Sequence, residues 1–202
     1  MRRRIPFAAA PVVLAAVWLA TVPAALQAQR RIVNEQTAAS GGFGGPVIRV
    51  SRVAGEAALF VGARGAWLLN HRVAIGAGGY KLAGEQIESH FLLSGETTHL
   101  EYTYGGFELE YFLAPLEPNH ASLSILVGVG GANWATKGRD KIDSDQFVVV
   151  EPGASLERRL ASNVQVAAGV AYRIVGGARL TALTAKDLGG PTIALTCKIG
   201  VF

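Results

Sequence analysis

Eight ionisable residues fall on one alternate phase of a chain otherwise poor in charge: Arg49, Arg64, Arg173 and Lys198, with Glu108, Glu110, Glu151 and Glu157. Glu108 and Glu110, two apart on one strand face, have the residue types of an acid–base pair. Same-face carboxylates are common on strands, however, and nothing else in the sequence selects this pair for catalysis. Four cations and four anions turned into one enclosed space would pair instead, because a buried charge without a partner is too unfavourable to keep. The expectation is a structural ion-pair network. A gated polar path or a ligand pocket is the alternative use of the same residues.

Other chemistry finds little support. His71, His90, His99 and His120 have no metal-binding spacing. No Gly-x-Ser-x-Gly elbow occurs. The glycines at 76, 78 and 79 and at 128, 130 and 131 complete neither phosphate-loop pattern and read as strand glycines. Asp140, Asp143 and Asp145, crowded with Arg139 and Lys141, lack the glycine of a calcium loop and read as a solvated charged loop. Cys197 is the single cysteine, so neither an intramolecular disulfide nor a cysteine zinc site can form. No catalytic residue, cofactor or metal is expected, and the chain does not read as an enzyme.

The elements that would position these charges are strands. Alternation predicts eight, at 47–53, 57–69, 72–82, 99–113, 121–135, 146–158, 164–175 and 192–202. One phase of each is apolar and uncharged, as in Leu59, Val61, Ala63, Trp67 and Leu69, in Phe107, Leu109, Tyr111 and Leu113, and in Leu123, Ile125, Val127 and Val129. The same holds for Val148, Val150, Ala154 and Leu156, for the set from Val164 to Ile174, and for Ile193, Leu195, Cys197, Ile199 and Val201. The opposite phase is small or ionic, with Ala58, Gly62 and Ala66, Gly128, Gly130 and Ala132, and Ala167, Gly169 and Ala171. A soluble barrel would turn its charges to water. Here the uncharged phase suits lipid and the small-plus-charged phase suits a narrow interior. Glycine contributes 25 of the 202 residues, well above the roughly 7 % average. Mean hydropathy is positive, yet no helix-length apolar run lies beyond the first 28 residues.

Links at 70–71, 115–119 and 161–163 are short, and those at 83–98, 136–145 and 176–190 are long. The link at 54–56 is short on the long-loop end. Pro152 inside a strand predicts a bulge. Trp67, Tyr111, Phe112 and Phe202 are expected as an aromatic belt at the turn end, and Tyr80, Tyr102, Tyr104, Trp134 and Phe147 at the long-loop end. Of these, Tyr80, Trp134 and Phe147 are in the inward phase, so either bulges shift them or they cap the lumen.

Arg2, Arg3 and Arg4 ahead of an apolar stretch ending in Ala24, Ala25 and Ala28 predict a signal peptide over residues 1–28, cleaved after Ala28 or Ala25. A polar, Gly-rich lead-in at 29–45 and a barrel at 46–202 follow. Removing the signal leaves 16 Lys and Arg against 15 Asp and Glu. The basic pI of the whole chain therefore does not point to nucleic acid.

With this strand count, loop asymmetry and terminal Phe202, the chain resembles the small eight-stranded outer-membrane barrels of the OmpA/OmpX type. That resemblance implies an all-β, closed, antiparallel up-and-down transmembrane barrel in a bacterial outer membrane. Its partners would be membrane lipid and, during biogenesis, the barrel-insertion machinery. In that group the last strand carries an insertion signal, a terminal aromatic preceded by alternating apolar residues. Here the apolar set from Ile193 to Val201 is one residue out of phase with Phe202. The role expected is non-enzymatic, structural or surface-interacting, with a lumen blocked by paired charges. The alternatives are a soluble lipocalin-like carrier of an apolar ligand and a narrow pore. Any partner of the surface loops is left unnamed by the sequence.

Overall fold

A strand with aliphatic side chains on one face and small or ionic ones on the other satisfies both faces only when the sheet curls shut. The computed structural model, described here for residues 40–84, 87–89, 98–136, 141–180 and 183–202, shows that closure. Eight long strands form the wall: β1 (Ser40–Val53), β2 (Glu56–Leu69), β3 (Val73–Leu82), β4 (Thr98–Leu113), β5 (Asn119–Thr136), β6 (Lys141–Ala161), β7 (Val164–Gly176) and β8 (Gly190–Val201). Each pairs antiparallel with its sequence neighbours. The ring closes through β1 and β8, with Val47 opposite Thr196. The protein is a closed eight-stranded antiparallel up-and-down barrel. The residues of the expected signal peptide and of the lead-in up to 39 lie outside the described part.

The tight turns are set by backbone handedness. Ala54 and Gly55 both have positive φ (53° and 82°), as do Asn70 and His71 (50° and 56°). Such consecutive left-handed residues match the twist of the flanking strands. Alanine has no intrinsic preference for that region. Ala54→Gly is expected to raise the unfolding free energy by about 0.5–1 kcal/mol, read by denaturant unfolding in detergent micelles; a loss of stability would contradict the turn assignment.

Several elements differ from the sequence expectation. β1 starts at Ser40, not at 47, so residues 40–45 of the expected lead-in are wall. Phe43 anchors this stretch by pointing inward. Pro46 stays in register with Ala63 of β2, while the ladder to β8 lapses at Gly45 and Pro46. β6 starts at Lys141, so residues 141–145 of the loop expected at 136–145 are wall; residues 137–140 lie outside the described part. Pro152 makes no bulge. It pairs with Ile125, and the register to β7 is the same on either side of it. The irregularities fall instead between Trp134 and Ala135 and between Arg159 and Ala161.

The wall's outer face carries the uncharged phase. Phe107 is 78 % exposed and Val127 51 %, and Leu123, Ile125, Val129, Val170, Ile174, Ile193 and Leu195 are exposed beside them. The long-loop end is the one reached by Val53, Leu82, Thr136 and Gly176, and the turn end carries the links at 70–72, 114–118 and 162–163. Of the expected turn-end belt, Trp67 and Tyr111 face outward, whereas Phe112 is buried and Phe202 packs with the interior. The expected long-loop belt does not form. Tyr80, Tyr102, Tyr104, Trp134 and Phe147 are all buried inside the barrel, because strand phase, not height along the axis, decides which way a ring points.

Candidate functional site: a layered lumen

The inward phase builds three layers. At the turn end Phe43 stacks on Phe202 with ring centroids 5.8 Å apart. Leu68, Ala74 and Phe112 complete this apolar floor. Lys198 spans the floor and the charges, with its ammonium 4.8 Å from the ring centres of both Phe43 and Phe112.

The ionic layer lies above. Lys198 Nζ donates to both oxygens of Glu110 at 3.0 and 2.9 Å and to Glu157 Oε1 at 2.7 Å. Arg64 bridges Glu110 (Nη2–Oε2, 3.1 Å) and Glu108 (Nε–Oε2, 2.7 Å). Arg49 pairs with Glu151 and lies 3.7 Å from Glu108. Hydroxyls extend the chain of contacts. Ser122 donates to Glu110 at 2.8 Å, Tyr104 donates to Glu151 at 3.1 Å, and Tyr80 donates to Glu108. The Arg49 guanidinium carbon also lies over the Tyr80 ring, 3.6 Å from its centre. His120 Nε2 is 3.7 Å from the second Glu157 oxygen. All three cations come from adjacent strands, β8, β1 and β2, and all four carboxylates from β4 and β6.

The third layer is aromatic. Phe60, Tyr102, Tyr104, Tyr80 and Phe147 pack edge-on or tilted, with centroids 5.2–5.7 Å apart. Arg173, the eighth sequence-predicted charge, is here and meets no carboxylate among the described residues. Its guanidinium faces Phe60, Tyr102 and Tyr104 at 4.7–5.1 Å. Nε donates to the Leu188 carbonyl at 3.0 Å and Nη2 to Ser51 Oγ at 2.8 Å. Ring faces and a carbonyl thus take the place of an anion. Tyr102 donates to the same Leu188 carbonyl at 3.1 Å.

That carbonyl belongs to the connection between β7 and β8, which folds over the mouth. Leu183 and Leu188 are buried with Val53, Phe60 and Tyr102, and the Asp187 carbonyl accepts from the Ala54 N–H at 2.8 Å. The short helix Ala185–Leu188 is fixed by the Asp187 carboxylate, which accepts from the Thr184 N–H at 2.8 Å and its hydroxyl at 2.7 Å. Those two donors hold the Asp187 carboxyl below the usual range.

The structure brings seven of the eight predicted charges into one network and places Arg173 apart from it. Sequence reasoning missed Tyr102 and Tyr104 as its partners, although both share the alternate phase of Glu108 and Glu110 on β4. His120 and Ser122, on the inward phase of β5, were missed for want of any charge pattern there. Among the described residues no cluster of three or more His, Cys, Asp or Glu side chains could hold a metal. His90 and the Asp140 neighbourhood lie outside the described residues; Asp145 caps the Gln146 N–H at 2.8 Å.

A closed eight-stranded barrel with a largely apolar outer wall has the fold of the small outer-membrane barrels of the OmpA/OmpX type. Among solved structures it is similar to Neisserial surface protein A, with a TM-score of 0.56 and 11 % identity over 81 % of this chain and 97 % of that one. It is also similar to Ail, the attachment invasion locus protein of Yersinia pestis, with a TM-score of 0.50 and 14 % identity over 80 % of this chain and 97 % of that one. At such identities the likeness is one of fold. No family model and no curated protein matches the chain.

Proposed function

We propose that this protein is a non-enzymatic barrel of the bacterial outer membrane, with a structural or surface-interaction role and a lumen closed by its own side chains. The observation that carries the reading is the outer wall. Large aliphatic and aromatic side chains are exposed on all eight strands, far more contiguous apolar surface than a soluble monomer tolerates. On β7 the apolar set from Val164 to Ile174 covers about 25 Å along the axis at ordinary strand rise and barrel tilt, the height of a hydrocarbon belt.

The interior supports the closed lumen. Arg173, Lys198, Tyr80, Tyr102, Tyr104 and Phe60 are all at most 2 % exposed. Such packing among the described residues argues against the cavity of a lipocalin-like carrier and against a path for solute. Glu108 and Glu110 are each engaged by cations and hydroxyls, which argues against a free acid–base pair. The fold of Neisserial surface protein A and Ail accords with the membrane setting.

Two measurements test this. The mature chain is expected in the detergent-extracted envelope, with a folded form that changes migration on boiling; release as a soluble monomer overturns the reading. In planar bilayers the wild type is expected to be silent, and to stay silent with Arg64→Ala and Glu108→Ala combined, because the aromatic layer and the apolar floor still close the lumen. Wild-type conductance would replace the closed lumen with a pore.

A further inference from the structure

The outer wall is not uniformly convex. Near the long-loop end β3 to β7 carry a shallow groove of about 1020 Å³. Gly79, Gly105 and Gly131 form its floor, with Val129 and Val148 beside them. Gly79, Gly105, Val129, Val148 and Gly176 are successive register partners. The row therefore crosses five strands, about 19 Å at ordinary strand spacing. Towards the rim the wall turns polar. Lys81 is opposite Thr103, Thr103 opposite Gly131, and Gly131 opposite Gln146. Lys81 is exposed and two residues along the same face from Gly79.

We propose that this groove seats an acyl chain of a phosphate-bearing membrane lipid from the leaflet on the long-loop side, with the Lys81 ammonium on its phosphate. The inference rests on the membrane reading above. A wall inside hydrocarbon is covered by lipid, and an unfilled indentation forfeits dispersion contacts that a flexible chain restores. The cationic rim matches an anionic headgroup at the level where headgroups begin. A second copy of this chain fits less well. A two-fold interface apposes the same patch on both copies, so it would set Lys81 near Lys81 and two indentations face to face.

The groove can be filled without disturbing the barrel. A Cβ at Gly79 meets nothing within 4 Å, and at Gly131 the nearest atom is the Asp145 carbonyl oxygen at 3.8 Å. Wild type, Gly79→Val/Gly131→Val, Lys81→Gln and, as control on the exposed β7 wall, Ala168→Leu are placed in nanodiscs of phosphatidylethanolamine and phosphatidylglycerol. Each is then released for native mass spectrometry. Wild type and the control are expected to retain one phospholipid, the filled variant about fivefold less and Lys81→Gln about threefold less. Equal retention by all four, with insertion intact, overturns the groove alone. A wild-type dimer lost on filling overturns it in favour of a second copy. Failure of wild type to enter the discs overturns the membrane reading together with the groove.

Discussion

Lys198→Met is expected to lower the unfolding free energy of the barrel by about 3–5 kcal/mol, the usual result of removing one partner from a buried ion pair. Lys198 is fully buried and is, among the described residues, the only cation within 4 Å of Glu157 apart from the imidazole of His120. Without it the nearest cation left to Glu157 among the described residues is that ring at 3.7 Å, while Glu110 keeps Arg64 and Ser122. The damage should therefore concentrate on Glu157. Lys198→Met combined with Glu157→Gln is expected to recover most of the loss, because the uncompensated charge is gone. Denaturant unfolding in micelles, followed by the folded-to-unfolded gel shift, reads both variants. A Lys198→Met barrel as stable as wild type would mean that the network does not hold the lumen together.

Val127→Arg is the second large effect. Val127 points outward from the middle of β5, between Ile125 and Val129. An arginine at mid-depth on a lipid-facing wall is expected to cost about 2–4 kcal/mol, whereas Thr103→Arg, at the polar rim, should cost about 0–1 kcal/mol. Folding titrations into vesicles measure the difference. Were the wall in water, both changes would be near neutral and Val127→Arg would improve solubility. Equal, small effects at the two positions would thus sink the membrane reading without reference to the lumen.

Much of this architecture is written in the period-two pattern. β2, β7 and β8 alternate so regularly that their wall and lumen faces follow from the residues alone. The pattern fails where side chains do not report a phase. Residues 40–45 are nearly all glycine or serine, and only Phe43 reveals that they are strand. Residues 141–145 are polar or charged apart from Ile142, so the start of β6 reads as loop. Tyr102 and Tyr104 were assigned by their height near a rim, although their parity with Glu108 already turned them inward. The pairing within the lumen was legible in kind but not in detail. Which cation meets which carboxylate depends on how the ring is sheared, and that stagger is spread over eight ladders. Arg173 shows the limit: nothing local in β7 distinguishes a guanidinium bound for a carboxylate from one bound for three aromatic rings and a carbonyl.

Within the ion-pair network, the segregation of cations to β8, β1 and β2 and of carboxylates to β4 and β6 has a consequence for the order of events in biogenesis. Arg49 and Glu151 are 102 residues apart in sequence, and Lys198 and Glu110 are 88 apart, so no hairpin can neutralise itself as it emerges. A half-built sheet descending into hydrocarbon would carry its ionic groups bare. Curling must therefore run ahead of, or together with, descent, and neutralisation becomes a checkpoint that only a nearly finished cylinder passes.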